Sequence, residues 1–231
     1  SFIEYLAAKK RITNGAKQII INRDDRHLNS LEFKDDQRVV KFTLDAPRPG
    51  EIGVVEELLV DRAFVEDPQE ASALAELSDI NPQAPHNVAN ALAAMALARS
   101  CGVKIDSMAE GLRNFAPGHH RIEEVENSEG IRWINDSKAT NPHAANASLA
   151  AFTSIIWIAG GLAKGAEMGE LIERIKARVR VAILIGEDRV LIADELRQRA
   201  PHIQVELIDS PAGYSKGGVD NSLMESVIRT A

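Results

Sequence analysis

The stretch WINDSKATNPHAA, Trp133 to Ala145, leaves a short apolar run and then sets Asp136, Lys138 and Thr140 on alternate positions before Asn141-Pro142. Asn141 is a strong N-cap and Pro142 suits the first helical position, so local chemistry alone specifies a helix start here. A cap requires none of Asp136, Lys138 and Thr140. A cation, a hydroxyl and exposed backbone N–H groups at a helix start are suited to phosphate or carboxylate, and an aspartate can accept from a ribose hydroxyl. A well-capped connection explains only Asn141 and Pro142, and spacing by itself leaves the functional and structural readings of the loop level.

Four other stretches carry candidate chemistry. In AGGLAKGAE, Gly160-Gly161 permit a strained turn after an apolar run, with Lys164 just before the next helical segment; a surface lysine in a flexible loop is the plainer reading. In PHNVANALAAM, Asn87 and Asn90 lie one helical turn apart at a helix start, where two amides on one face can read a base edge, although Asn87 also suits a simple cap. In GHHRIE, His120 and Arg121 can stack on a base or hold phosphate, or form a solvated basic turn. In YLAAKKR, Lys9 sits among small residues on what is ordinarily a helix face. Neither G-x-x-x-x-G-K-[ST] nor G-x-G-x-x-G occurs anywhere in the chain.

The elements that must position these residues divide at Pro117-Gly118. Before it, FIEYLAAKK reads as an amphipathic helix end, KQIIINRDD as a strand, and residues 31–65 as short strands between turns. A helix follows from Asn87, with Val88, Ala91, Leu92, Met95 and Leu97 near helical spacing and Gly102 as its C′ residue. A second helix is expected to open with a capping box, Ser107 to Glu110. After the break, strands at 131–135, 154–159, 180–186 and 203–208 alternate with helical segments, which predicts βαβ units on a parallel sheet. Both the WINDSKATN and the AGGLAKGAE loops are then expected to leave strands at the carboxyl edge of that sheet, where open α/β sheets bind ligands.

Composition bounds the rest. With 231 residues, 45% apolar and 26% charged, the chain is ordinary globular protein with room for two modest domains. A formal charge of −7 argues against a general nucleic-acid or membrane-surface binder, so an anionic partner must be held locally. The single Cys101 allows neither an internal disulfide nor a thiolate metal cluster. The first twenty residues carry Glu4, Lys9, Lys10, Arg11 and Lys17, unlike a secretory signal, and Ile155 to Ala163 is far short of the roughly 20 residues that span a bilayer. A cytoplasmic location is expected.

FIEYLAAKKRITNGAK, HNVANALAAMALA, HHRIE, WINDSKATN and GGLAKG, in this order and across nearly the whole chain, resemble the Mur ligase family. NDSKATN is the most specific of them and is similar to the D-glutamate-adding branch. The resemblance implies an ATP- and Mg2+-dependent ligase that joins D-glutamate to UDP-N-acetylmuramoyl-L-alanine through an acyl phosphate, in cytoplasmic peptidoglycan precursor synthesis, and acts as a monomer. It implies a fold of partial central ATP-binding domain, residues 1–117, followed by a truncated Rossmann-like parallel-sheet domain, residues 118–231.

Site roles follow from the same resemblance. Lys9 matches a lysine that, when carbamylated, helps hold the magnesium ion. Asn87 and Asn90 match adenine-proximal residues, and His120 with Arg121 match a hinge pair beside the nucleotide. Asp136 matches the ribose contact, Lys138 and Thr140 line the nucleotide and amino-acid site, and Lys164 matches the lysine that receives the D-glutamate carboxylate. The family's phosphate loop, its UDP-binding domain and a further metal-ligating histidine are expected before Ser1, and a serine-containing loop after Ala231, so the chain alone is expected to be inactive. Another Mur ligase, a folylpolyglutamate synthase and a non-catalytic nucleotide-binding module remain the alternatives.

Overall fold

The computed structural model describes residues 1–67, 69–161, 168–209 and 221–231. The chain divides into two compact units, Ser1–Pro117 and Gly118–Ala231.

The first unit opens with α1 (Phe2–Lys10), held at its start by a capping box in which the Ser1 and Glu4 side chains and backbones bond reciprocally. No residue of α1 is buried, and among the described residues its ring contact beyond the helix is Phe2 with His27, centroids 4.7 Å apart. A five-stranded mixed sheet follows in spatial order β1 (Gln18–Asn22), β2 (Arg38–Phe42), β3 (Glu51–Val55), β4 (Leu58–Asp61), β5 (Ser72–Glu76), with a four-residue helix, α2 (Arg26–Asn29), between the first two strands. The first three strands pair in parallel and the last two antiparallel. Helix α3 (Pro85–Ser100) packs on β1, β2 and β3, while α4 (Ile105–Arg113) packs on β5. Val40, Ile52, Leu59 and Leu74 of the sheet meet Val88, Ala91, Leu92 and Met95 of α3. Leu97, part of the same apolar period, is instead 56% exposed.

Two helix starts differ from the sequence reading. Helix α3 begins at Pro85 with Ala84 as N-cap, so Asn87 is the third helical residue and caps nothing. Helix α4 begins two residues before Ser107, with Lys104 at the cap and no side-chain cap bond. Burial of Met108 and packing of Ile105 against the core set that start, and they outweigh a box worth about 1 kcal/mol.

The second unit holds a three-stranded all-parallel sheet, β8 (Ile155–Gly160), β9 (Val179–Ile185) and β10 (Gln204–Leu207), with β9 central. Helices α6 (Gly169–Ile175) and α7 (Arg189–Arg199) connect the strands, α5 (Pro142–Leu149) packs on α6, and α8 (Asn221–Thr230) follows β10. Val179, Ala182 and Leu184 meet Ile172, Ile175, Ala193 and Leu196 in its core. The expected series of parallel strands from residue 131 is corrected here. Strand β7 (Ile131–Asn135) pairs antiparallel with β6 (Glu123–Ser128), which the sequence reading missed, and among the described residues it joins no parallel strand. Glu129 (φ 53) and Gly130 (φ 80) make the two-residue turn between them, of the mirror-image kind that matches strand twist.

One buried charge organises the first unit. Asp61 is fully buried and accepts from the N–H groups of Ala63 and Phe64 and from Arg99 Nε at 2.9 Å, while Arg99 also donates to the Phe64 carbonyl. Removing one partner of a buried pair leaves the other charge uncompensated, at about 3–5 kcal/mol. Asp61→Ala should therefore cost that much in the first unit, read as faster hydrogen exchange throughout β4 and β5. Unchanged protection there would contradict the role given to the pair.

Candidate functional site

The loop after β7 is built by short-range bonds. Asn141 Oδ1 accepts from Ala144 N at 2.9 Å and Pro142 is the first residue of α5, as local chemistry specifies. Ala139 N donates to Asp136 O, Thr140 N to Lys138 O, and Ser137 N to Asn135 Oδ1. Lys138 and Thr140 are left exposed, without a side-chain partner among the described residues.

Opposite this loop lies the strap 118–123, brought there by the hairpin, whose register sets Glu123 across from Asn135. Four bonds join the two segments or brace the strap. Ile122 N donates to Asp136 Oδ1 at 3.0 Å, and Lys138 N donates to His120 O at 3.1 Å. The Asn135 amide donates to His120 Nδ1 at 2.9 Å, and His120 N donates to Glu123 Oε2 at 2.8 Å. His119 Nδ1 adds a contact to Glu123 Oε1 at 2.8 Å. His120 and Ile122 both have positive φ, 66° and 52°. Left-handed backbone at non-glycine residues costs about 1–3 kcal/mol each, which these bonds offset.

The structure thus gathers His120, Arg121, Asp136, Lys138 and Thr140 into one neighbourhood of the second unit. Asp136 differs from the bare ribose acceptor of the sequence reading, because Oδ1 is engaged by Ile122 N and only Oδ2 remains. The loop also leaves a hairpin strand, not a strand of the parallel sheet. Glu123 and Asn135 were given no role from sequence, although Glu123 lies within HHRIE, three residues after His120, the spacing at which its carboxylate meets the His120 N–H.

At the carboxyl edge of the parallel sheet, β8 ends in Gly160 (φ 152) and Gly161 (φ 102). A Cβ on Gly160 would stand 1.8 Å from the Ile185 carbonyl oxygen, so only glycine fits. Asp188 N donates to Gly161 O, tying the next loop to this one. Lys164 follows, in the stretch 162–167, outside the described residues.

Lys9, Asn87 and Asn90 belong to the first unit. Asn87 Nδ2 donates to Pro82 O at 3.1 Å, which leaves its oxygen as an acceptor, and Asn90, one turn on, is exposed. Lys9 is exposed in the last turn of α1, its Nζ 5.6 Å from the Tyr5 ring centroid. Among the described residues no three His, Cys, Asp or Glu side chains group to hold a metal ion. Magnesium demands near-octahedral oxygen ligation, so these residues do not by themselves make its site. Arg121, Lys138 and the free oxygen of Asp136 do fit a ligand that carries both phosphate and hydroxyls. No helix among the described residues is long and apolar enough to cross a membrane.

An α/β chain with a parallel-sheet second unit is the architecture of solved Mur ligases. The UDP-N-acetylmuramate-alanine ligase MurC of Thermotoga maritima superposes with a TM-score of 0.63 at 17% identity, over 100% of this chain and 55% of that one. A pseudomurein peptide ligase type C of Methanothermus fervidus gives 0.65 at 17% identity, over 100% and 54%. Residues 120–216 match the Mur ligase glutamate ligase domain. The UDP-N-acetylmuramoylalanine--D-glutamate ligase of Thermobifida fusca is 50% identical over 205 residues, 87% of this chain and 44% of that protein. The enzymes of that name from Streptomyces coelicolor and Mycobacterium tuberculosis are 50% and 42% identical, over 89% and 87% of this chain. The chain belongs to the Mur ligase family. It spans less than half the length of these curated relatives, 40–45%.

The Glu123 carboxyl is held below the ordinary carboxylate range, first by the His120 backbone N–H and then by the His119 side chain. Because its folded value lies below the unfolded one, the contribution to stability is complete above that range and is lost as pH falls through the depressed midpoint. Carbon-13 NMR of the carboxylate should show that low midpoint, and His119→Ala should move it part of the way up. An ordinary midpoint in the unsubstituted protein would contradict the bond.

Proposed function

We propose that this chain is part of an ATP-dependent ligase that adds D-glutamate to UDP-N-acetylmuramoyl-L-alanine in peptidoglycan precursor synthesis. The observation that carries the reading is 50% identity to enzymes so named along 87–89% of the chain, taking in the WINDSKATN loop and the strap opposite it. The ATP γ-phosphoryl group passes to the substrate carboxylate, giving an acyl phosphate and ADP. The D-glutamate amine then attacks the acyl carbon; the amide bond forms, phosphate leaves, and the amine loses its proton. Little of this needs covalent help from the protein, whose part is positioning and charge stabilisation.

Within that reading, Asp136 takes a ribose hydroxyl on its free oxygen and Arg121 and His120 flank the nucleotide. Asn87 and Asn90 meet the adenine, Lys138 and Thr140 face the reacting groups, and Lys164 receives a D-glutamate carboxylate. Lys9 acquires an oxygen ligand for magnesium only if carbamylated, since its amine alone offers none. The residue range 1–117 corresponds to part of a central ATP-binding domain and 118–231 to the Rossmann-like C-terminal domain. The enzyme works in the cytoplasm, as a monomer.

Two substitutions in the full-length gene product test the assignment. Lys164→Ala removes a charge-assisted contact of about 1.5–3 kcal/mol, so D-glutamate affinity should fall roughly 10- to 100-fold, with ATP affinity and melting temperature nearly unchanged. Intact D-glutamate kinetics would sink the glutamate role of this loop. Lys9→Ala should lose activity that bicarbonate does not restore and short-chain carboxylates partly do, because they supply an oxygen ligand. Full activity of that variant would remove Lys9 from the site.

A further inference from the structure

We propose that Glu123 is a positioning residue for Arg121: with Asp136 it holds the turn His120–Ile122 in a left-handed path that presents the Arg121 guanidinium to a phosphate-bearing ligand. The inference rests on the nucleotide reading of Arg121 given above and deepens it.

Arg121 is flanked on both sides by residues in the left-handed region, His120 at φ 66° and Ile122 at φ 52°. Histidine visits that region occasionally, but for a β-branched isoleucine it is a true outlier. Such backbone persists only where its surroundings over-determine it, and such positions cluster at ligand clamps. Here each flank has its own carboxylate. Glu123 Oε2 accepts the His120 N–H and Asp136 Oδ1 accepts the Ile122 N–H. Lys138 N closes the turn from the other side through His120 O, and the Ile122 side chain is 7% exposed and so anchored.

Between these fixed points the Arg121 side chain is exposed and has no partner among the described residues. The N–H and carbonyl of His120 and the N–H of Ile122 are tied down, and the guanidinium between them is left free among the described residues. A cation on a backbone already fixed loses little further freedom when an anion arrives, which is the advantage of preorganisation. His119 Nδ1 lies 2.8 Å from the other Glu123 oxygen. Neither carboxylate is paired with Arg121: one oxygen of each accepts a backbone N–H that flanks it.

A double-mutant cycle in the full-length gene product separates positioning from simple stabilisation. ATP KM, D-glutamate KM and melting temperature are measured for the unsubstituted protein, Arg121→Ala, Glu123→Ala and the double variant. Arg121→Ala should raise the ATP KM at least about 10-fold, the size of a lost charge-assisted contact. Glu123→Ala should raise it about 3- to 10-fold with little change in D-glutamate KM, and the double variant should be no worse than Arg121→Ala. Glu123→Gln, which keeps an acceptor for the His120 N–H, should recover most of the ATP affinity. Additive losses, equal losses for both substrates, or no effect of Glu123→Ala would overturn the positioning role and leave Arg121 in the site. No effect of Arg121→Ala would instead overturn the nucleotide reading and the proposal with it. Glu123→Ser takes the same corner of the cycle if Glu123→Ala does not fold.

Discussion

The register of the β6–β7 hairpin is the constraint on which the candidate site depends. Side chains alternate faces along a strand, so a slip of one residue would carry Glu123 away from Asn135 and reverse which side chains of β7 meet the strap. Two devices pin it. The turn at Glu129-Gly130 demands two positive φ angles, and the extra residue between Glu124 and Glu126 forms a bulge opposite the Ile134–Trp133 step. With that register, strap 118–123 and loop 135–138 meet over backbone groups that would otherwise stay unpaired.

Carboxylates do different work in the two units, and magnitudes separate them. Asp61 is fully buried and its charge is matched by Arg99 and two backbone N–H groups, so its loss is felt as stability. Glu123 and Asp136 are only partly covered, where solvent screens an ion pair to little net energy. Their effect is geometric: each fixes one N–H of a strained turn. Although the chain's net charge is −7, neither acid is ion-paired with Arg121 or Lys138, and both cations face solvent.

The carboxyl edge of the parallel sheet rests on close approach of backbones. A Cβ at Gly160 would overlap the Ile185 carbonyl, and one at Gly186 would stand 2.7 Å from Gly161 N. The strand ends of β8 and β9 are therefore interlocked at Gly160, Gly161 and Gly186. Rigid strand ends carrying variable loops are the usual way α/β sheets bind small molecules.

Local chemistry was sufficient wherever one residue type answers one backbone need. Asn141-Pro142 fixed the start of α5, Gly102 the end of α3, and the apolar period of Val88, Ala91, Leu92 and Met95 the face that meets the sheet. The family, too, was legible in HHRIE, WINDSKATN and their order. Pairing was not. EEVENS carries too many charges to read as a strand, and β7 looked like one more parallel strand because a strand's sequence does not name its neighbour. The box at Ser107 and the cap at Asn87 yielded to burial of Met108 and to Pro85 at the helix start. Only the folded chain could show that Asp136 meets the Ile122 N–H beside Arg121, because a hydrogen bond between segments 14 residues apart depends on register, and register is set by the whole hairpin; the Glu123 bond to His120, three residues back, is local.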